Sequence, residues 1–145
     1  MAPEFQIPMD DVPSDWPTLD DSLVYDVRIV AAELDHAGPN AKMPGEPYIN
    51  VEMETTAPPE WEGKTLYDIL NLPGNVKPTD TVAERRKKLE RGIRLKQVME
   101  AFRLTWSPNG TFNTDDWVGS EARCDIRNDE WEGRMRSKPK RYYQK

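Results

Sequence analysis

Residues 117–145 read WVGSEARCDIRNDEWEGRMRSKPKRYYQK, and this stretch decides the fold. Ala122, Cys124 and Ile126 alternate with Arg123, Asp125 and Arg127, the two-residue period of a strand with one apolar and one polar face. A turn at Gly133 follows, and the chain returns from about Arg136 to Tyr143 as a second strand. Pro139 has no N–H to give a ladder, which predicts an edge position for that strand. The hairpin carries Arg123, Arg127, Trp131, Arg134, Arg136, Lys138, Lys140, Arg141, Tyr142 and Tyr143. Cations beside aromatic rings suit a single-stranded nucleic acid, because the cations meet phosphates and the rings accept unstacked bases.

Working upstream, the spacing predicts a first strand over Val24–Leu34, with Tyr25, Val27, Ile29 and Ala31 on one face. A Gly- and Pro-bearing loop from His36 to Pro47 leads to a second strand, Tyr48–Thr55, with Ile49, Val51 and Met53 inward. The segment APPEWEG turns into a third strand, Lys64–Ile69. Thr81 with Glu84 three residues later is a capping box, and the helix it opens is expected to run to about Arg103. Leu95, Val98, Met99 and Phe102 form one apolar stripe; Val82, Leu89 and Ile93 fall on a different face, which allows a bend near Gly92 or two helical pieces. TDDWVG reads as one helical turn capped by Thr114 and stopped at Gly119. The expected fold is therefore mainly β with one principal helix, in the order β-β-β-α-β-β. That order is the OB-fold-like five-stranded barrel, whose surface accommodates oligonucleotides.

Composition narrows the function. The 145 residues suit one domain, and no apolar run reaches membrane-spanning length. MAPEFQIPMDDVP has neither a basic nor an apolar signal region, and the single cysteine fits a reducing cytoplasm. Residues 1–80 carry 16 acidic and 4 basic side chains, a balance of −12. Residues 81–145 carry 10 acidic and 16 basic, a balance of +6, so the overall −6 conceals a basic half. Residues 1–22 hold six carboxylates, four prolines and no Lys or Arg, a composition that predicts a disordered acidic tail ahead of a domain at 23–145. Phe5, Ile7 and Trp16 are its scattered apolar anchors. The tail is expected to compete with DNA, recruit partners or simply solubilise the chain.

Enzymatic chemistry finds little to work with. The single histidine, His36, lies in a Gly/Pro loop, so zinc sites and histidine triads lack their groups. There is neither a P-loop nor a nucleophile elbow. Asp26, Glu52, Glu54 and Asp68 are candidate Mg²⁺ ligands for a nuclease, but alternating strands expose carboxylates routinely. The basic run ERRKKLERGIRLK reads as a solvated helix face laced with i, i+4 pairs, or as auxiliary electrostatics. The expectation is a protein without enzymatic activity, cofactor or metal.

The segments VYDVRIVAAEL, PYINVEMET, EWEGKTLYDIL, RLKQVMEAF, WVGSEARCDIRNDEWEG and KPKRYYQ, in this order, resemble a family of small phage proteins long catalogued as unknown in function. Several related phage families are OB-fold single-stranded-DNA-binding proteins. The resemblance covers about Val24 to Tyr143. It implies a role in phage replication or recombination in the host bacterial cytoplasm, with single-stranded DNA as ligand. Replication or recombination proteins, reached through the acidic tail, are the further partners. The long N-terminal acidic extension departs from the pattern. On the domain, Arg28, Tyr48, Lys64 and Tyr67 are expected to line the groove beside the hairpin residues named above. About five phosphate contacts would give a log K against log salt slope of roughly −3 to −4. The competing reading is a protein-interaction module, an adaptor or inhibitor of host machinery, acting through the acidic N-terminal half.

Overall fold

The computed structural model describes residues 2–14, 18–42 and 44–145, with the side chain of Trp131 excepted. Trp16 lies outside the described residues. Five strands form one antiparallel sheet: β1 (Val24–His36), β2 (Pro47–Ala57), β3 (Thr65–Asn71), β4 (Glu121–Trp131) and β5 (Arg134–Tyr143). Their spatial order is β3-β2-β1-β4-β5. β1 lies at the centre because it pairs with both β2 and β4.

Apolar alternation dictates the inner face. Tyr25, Val27, Ile29, Ile49, Val51, Met53, Leu66, Leu70, Ala122, Cys124 and Ile126 are all buried there. β1 breaks its period once. A register shift between Ile29 and Ala31 moves the strand by one residue, so Ala32 is buried where Ala31 is expected. The core extends upstream to Leu19, which is 4% exposed. Its N–H donates to Ser137 Oγ (2.8 Å), and its carbonyl accepts from Asn128 Nδ2 (2.9 Å). Residues 2–14 are exposed and include one short 3₁₀ turn, Met9–Asp11.

The expected single helix is two helices, α1 (Val82–Glu90) and α2 (Ile93–Ala101), so the order is β-β-β-α-α-β-β. The break has a packing cause. A Cβ at Gly92 would stand 2.5 Å from Pro73 Cγ, and one at Gly74 would stand 2.9 Å from Lys88 Cγ. The loop after β3 therefore crosses the chain where only glycine fits. Redirection at Gly92 lets α2 bury Leu95, Val98 and Met99, with Phe102 just beyond it, while α1 buries nothing. Thr81 caps α1 as expected, accepting from the Glu84 N–H at 3.1 Å. The short 3₁₀ turn Thr114–Trp117 is capped by Asn113 rather than Thr114, through Asn113 Oδ1 and the Asp115 N–H (2.9 Å).

The sheet is open: among the described residues no backbone ladder joins β3 to β5. The two strands nevertheless lie side by side, bridged by side chains. Asp68 shares the inward phase of Leu66 and Leu70 on β3. Its Oδ2 accepts from Tyr142 Oη (2.7 Å) and from Arg94 Nη2 (2.8 Å) and Nε (3.2 Å). Arg94, on α2, also donates to the carbonyls of Pro139 (3.0 Å) and Lys140 (2.6 Å) of β5. One guanidinium thus satisfies backbone acceptors of an edge strand that lacks a neighbour there.

Candidate nucleic-acid interface

The β4–β5 hairpin turns through Glu132 and Gly133, both at positive φ (49° and 76°), a two-residue connection whose twist suits antiparallel strands. Beyond the turn, Arg127 faces Lys138, Asp129 faces Arg136 and Trp131 faces Arg134. Alternation sends Arg127, Lys138, Asp129 and Arg136 outward, because Ile126 and Pro139 are buried as an inward pair.

A bulge then decides between the two terminal tyrosines. Between Cys124 and Ile126, β4 has one residue where β5 has two, Lys140 and Arg141. The extra residue reverses the phase of β5, so Tyr142 opposes Cys124 on the core side and Tyr143 opposes Arg123 on the outer side. Tyr142 packs against Phe102 with ring centroids 5.7 Å apart, under Arg94 at 5.0 Å. Burial, then the Asp68 carboxylate, pushes its hydroxyl well above the ordinary phenol range. Tyr142 therefore lies on the core side, apart from the outward cations of the hairpin. Tyr143 stays exposed, its hydroxyl donating to Asp125 Oδ2 at 3.1 Å.

The outer face is an alternating field of guanidinium and carboxylate. Arg123 pairs with Asp26 (3.0 Å), Arg127 with Asp129 (3.1 Å), Lys138 with Asp129 (3.8 Å) and Arg141 with Asp125 (3.6 Å). Exposed pairs of this kind are worth about 0–1 kcal/mol, so a phosphodiester can take a cation from its carboxylate at little cost. Arg134, Arg136 and Lys140 are exposed on the same hairpin. The side chain of Trp131 lies outside the described residues.

The other expected groove residues sit apart. Arg28 reaches across β1 to Glu54 of β2, and that carboxylate raises the guanidinium pKa. Lys64 is exposed at the β2–β3 turn. Tyr67, on β3, donates to Glu52 Oε1 (2.9 Å), and Tyr48, on β2, to Asp35 Oδ2 (3.3 Å). Arg28 adjoins the hairpin through β4, whereas Tyr48 is separated from it by β1 and Tyr67 by both β1 and β2. EWEG at 60–63 is a structural turn: Trp61 is partly buried and meets Tyr25 edge-on at 6.4 Å.

Two features escape the sequence reading. Arg94 looks like part of a solvated basic run, yet it holds the β3–β5 seam. Trp106 sits in the irregular segment TWSPNG and is 44% exposed; an aromatic inside a Pro–Asn–Gly turn was the available signal. No family model matches the chain, and no curated protein matches it. Among the described residues no cluster of His, Cys, Asp or Glu could hold a metal ion, and no helix is long and apolar enough to cross a membrane.

Proposed function

We propose that this chain binds single-stranded DNA with little sequence preference and without turnover, through the outer face of β4 and β5. The observation that carries the reading is the bulge-set phase of β5. It presents Tyr143 on the same face as Arg123, Arg127, Arg136 and Lys138, while Ile126, Pro139 and Tyr142 face the core. Edge protection by charge would explain the cations alone; it does not call for an exposed ring among them. The strand order β3-β2-β1-β4-β5, with β5 beside β3, supports an OB-like barrel whose seam is made by side chains. The resemblance to phage proteins supports a replication or recombination setting, with partner proteins engaged by the acidic tail. The test is fluorescence anisotropy of a labelled oligo-dT and of a duplex of equal length. The parent is expected to prefer the single strand, and an Arg127→Gln/Lys138→Gln variant to bind it several-fold more weakly. Equal binding by parent and variant would refute the interface.

The second reading, an adaptor that docks on a protein, draws on a different face. Tyr67 and Ile69 are each more than half exposed on the outward side of β3, bordered by Glu52 and Glu33. Retention of a protein partner with no response to oligonucleotide would favour it.

A further inference from the structure

Beyond α2 the chain walls a cavity of about 490 Å³, within the roughly 300–1,000 Å³ usual for ligand sites. Its lining includes Arg103, Trp106, Ser107, Asn113 and Asp116, with buried Trp117 stacked on Phe112 at 5.7 Å. The turn that follows Trp106 is closed by three hydrogen bonds. The Ser107 N–H donates to the Thr111 carbonyl (2.9 Å), the Gly110 N–H to the Ser107 carbonyl (2.8 Å), and the Thr111 N–H to Ser107 Oγ (3.0 Å).

Arg103 stands at the lip in a position built for glycine. The Leu104 N–H donates to the Met99 carbonyl (2.7 Å), closing α2 with Arg103 left-handed at φ 58°. A side chain there costs backbone energy, so its presence calls for a use of the guanidinium. That guanidinium donates to the Lys145 carbonyl (3.1 Å). Lys145 in turn reaches Glu121 (3.3 Å) and Asp26 (3.8 Å), and Asp26 is the partner of Arg123, opposite Tyr143. The cavity therefore lies at one end of the cationic face, reached through Lys145.

We infer that this cavity takes one unstacked nucleobase of a bound single strand, the ring stacking on Trp106 and the adjoining phosphate met by Arg103 and Lys145. The Asn113 amide nitrogen and the Asp116 carboxylate, which line the same cavity, supply a donor and an acceptor at the base edge. The inference rests on the single-strand reading and extends its footprint past the hairpin. A base stacked on a ring is sequence-tolerant, which agrees with a general binder.

The test is anisotropy of a fluorescein-labelled oligo-dT on the full chain, a reporter that does not depend on Trp106. Trp106→Ala is expected to weaken binding about tenfold, within the range for loss of one stacked base, and Trp106→Phe to restore most of it. Arg103→Gly suits the left-handed backbone, so the fold should be kept or stabilised. It is expected to weaken binding about threefold and make the salt slope shallower by about 0.7, one phosphate on a single strand. Trp106→Ala and Arg103→Gly both within twofold of parent, while Arg127→Gln/Lys138→Gln loses affinity, would overturn the cavity and leave the hairpin reading standing. A parent that ignores oligo-dT overturns both. Deoxythymidine monophosphate bound as tightly as the oligonucleotide, and lost in Trp106→Ala, would assign the cavity to free nucleotides and overturn the strand proposal.

Discussion

Replacing Asp68 with Ala tests how the open side of the sheet is held. Asp68 Oδ2 is the acceptor for Tyr142 Oη and for two nitrogens of Arg94, at 2.7 to 3.2 Å. Its removal leaves a buried phenol without that acceptor and a guanidinium without its carboxylate. Breaking a fully buried pair costs about 3–5 kcal/mol. Here the Asp68 and Arg94 side chains are 15% and 31% exposed, and Arg94 keeps two carbonyl acceptors, so water and backbone offset part of the loss. We expect a loss of about 2–3 kcal/mol, or roughly 6–12 °C in Tm for a chain of this size. Urea unfolding followed by tryptophan emission gives the value directly. Tyr142→Phe should cost about 1 kcal/mol, and the double variant less than the sum, because both act on one carboxylate. Asp68→Ala within 0.5 kcal/mol of the parent, or strict additivity with Tyr142→Phe, would refute the reasoning.

Two further outcomes follow from the same placement. Tyr143→Ala is expected to weaken oligo-dT binding by about 1–3 kcal/mol with little change in stability, seen by anisotropy and urea unfolding, whereas truncating Tyr142 should mainly destabilise. Burial pushes the Cys124 thiol up to about 12 and Tyr142 upward too, so the folded chain keeps protons that the unfolded chain releases. Stability should then fall as pH rises, from about 9 for Cys124 and from about 10 for Tyr142, by up to ~1.4 kcal/mol per unit for each group until its folded pKa is passed. Urea midpoints that stay flat from pH 8 to 10.5 would contradict this.

The strands, the α2 stripe and the outward hairpin cations were legible because period-two and period-3.6 patterns report which side faces the core. What was not legible came from single-residue insertions and long-range contacts. The β1 shift past Ile29 and the β5 bulge at Lys140–Arg141 reverse the phase without changing composition, so neither Ala32 nor the choice between Tyr142 and Tyr143 could be read. The place of the helix break at Gly92 was legible from the shifted apolar stripe, but its packing cause, Pro73 standing where a Cβ would lie, was not. Asp68 in phase with two leucines was a readable sign of a buried partner, but Arg94 hid in a basic run. Trp106 lay in a turn, where no periodicity marks it.

The most direct measurement is the affinity of the full chain for labelled oligo-dT across a salt series. A single-strand-binding face of about five phosphate contacts predicts tight binding in dilute buffer and a log K against log salt slope of roughly −3 to −4. Absence of binding at low salt, or a slope near zero, would contradict it.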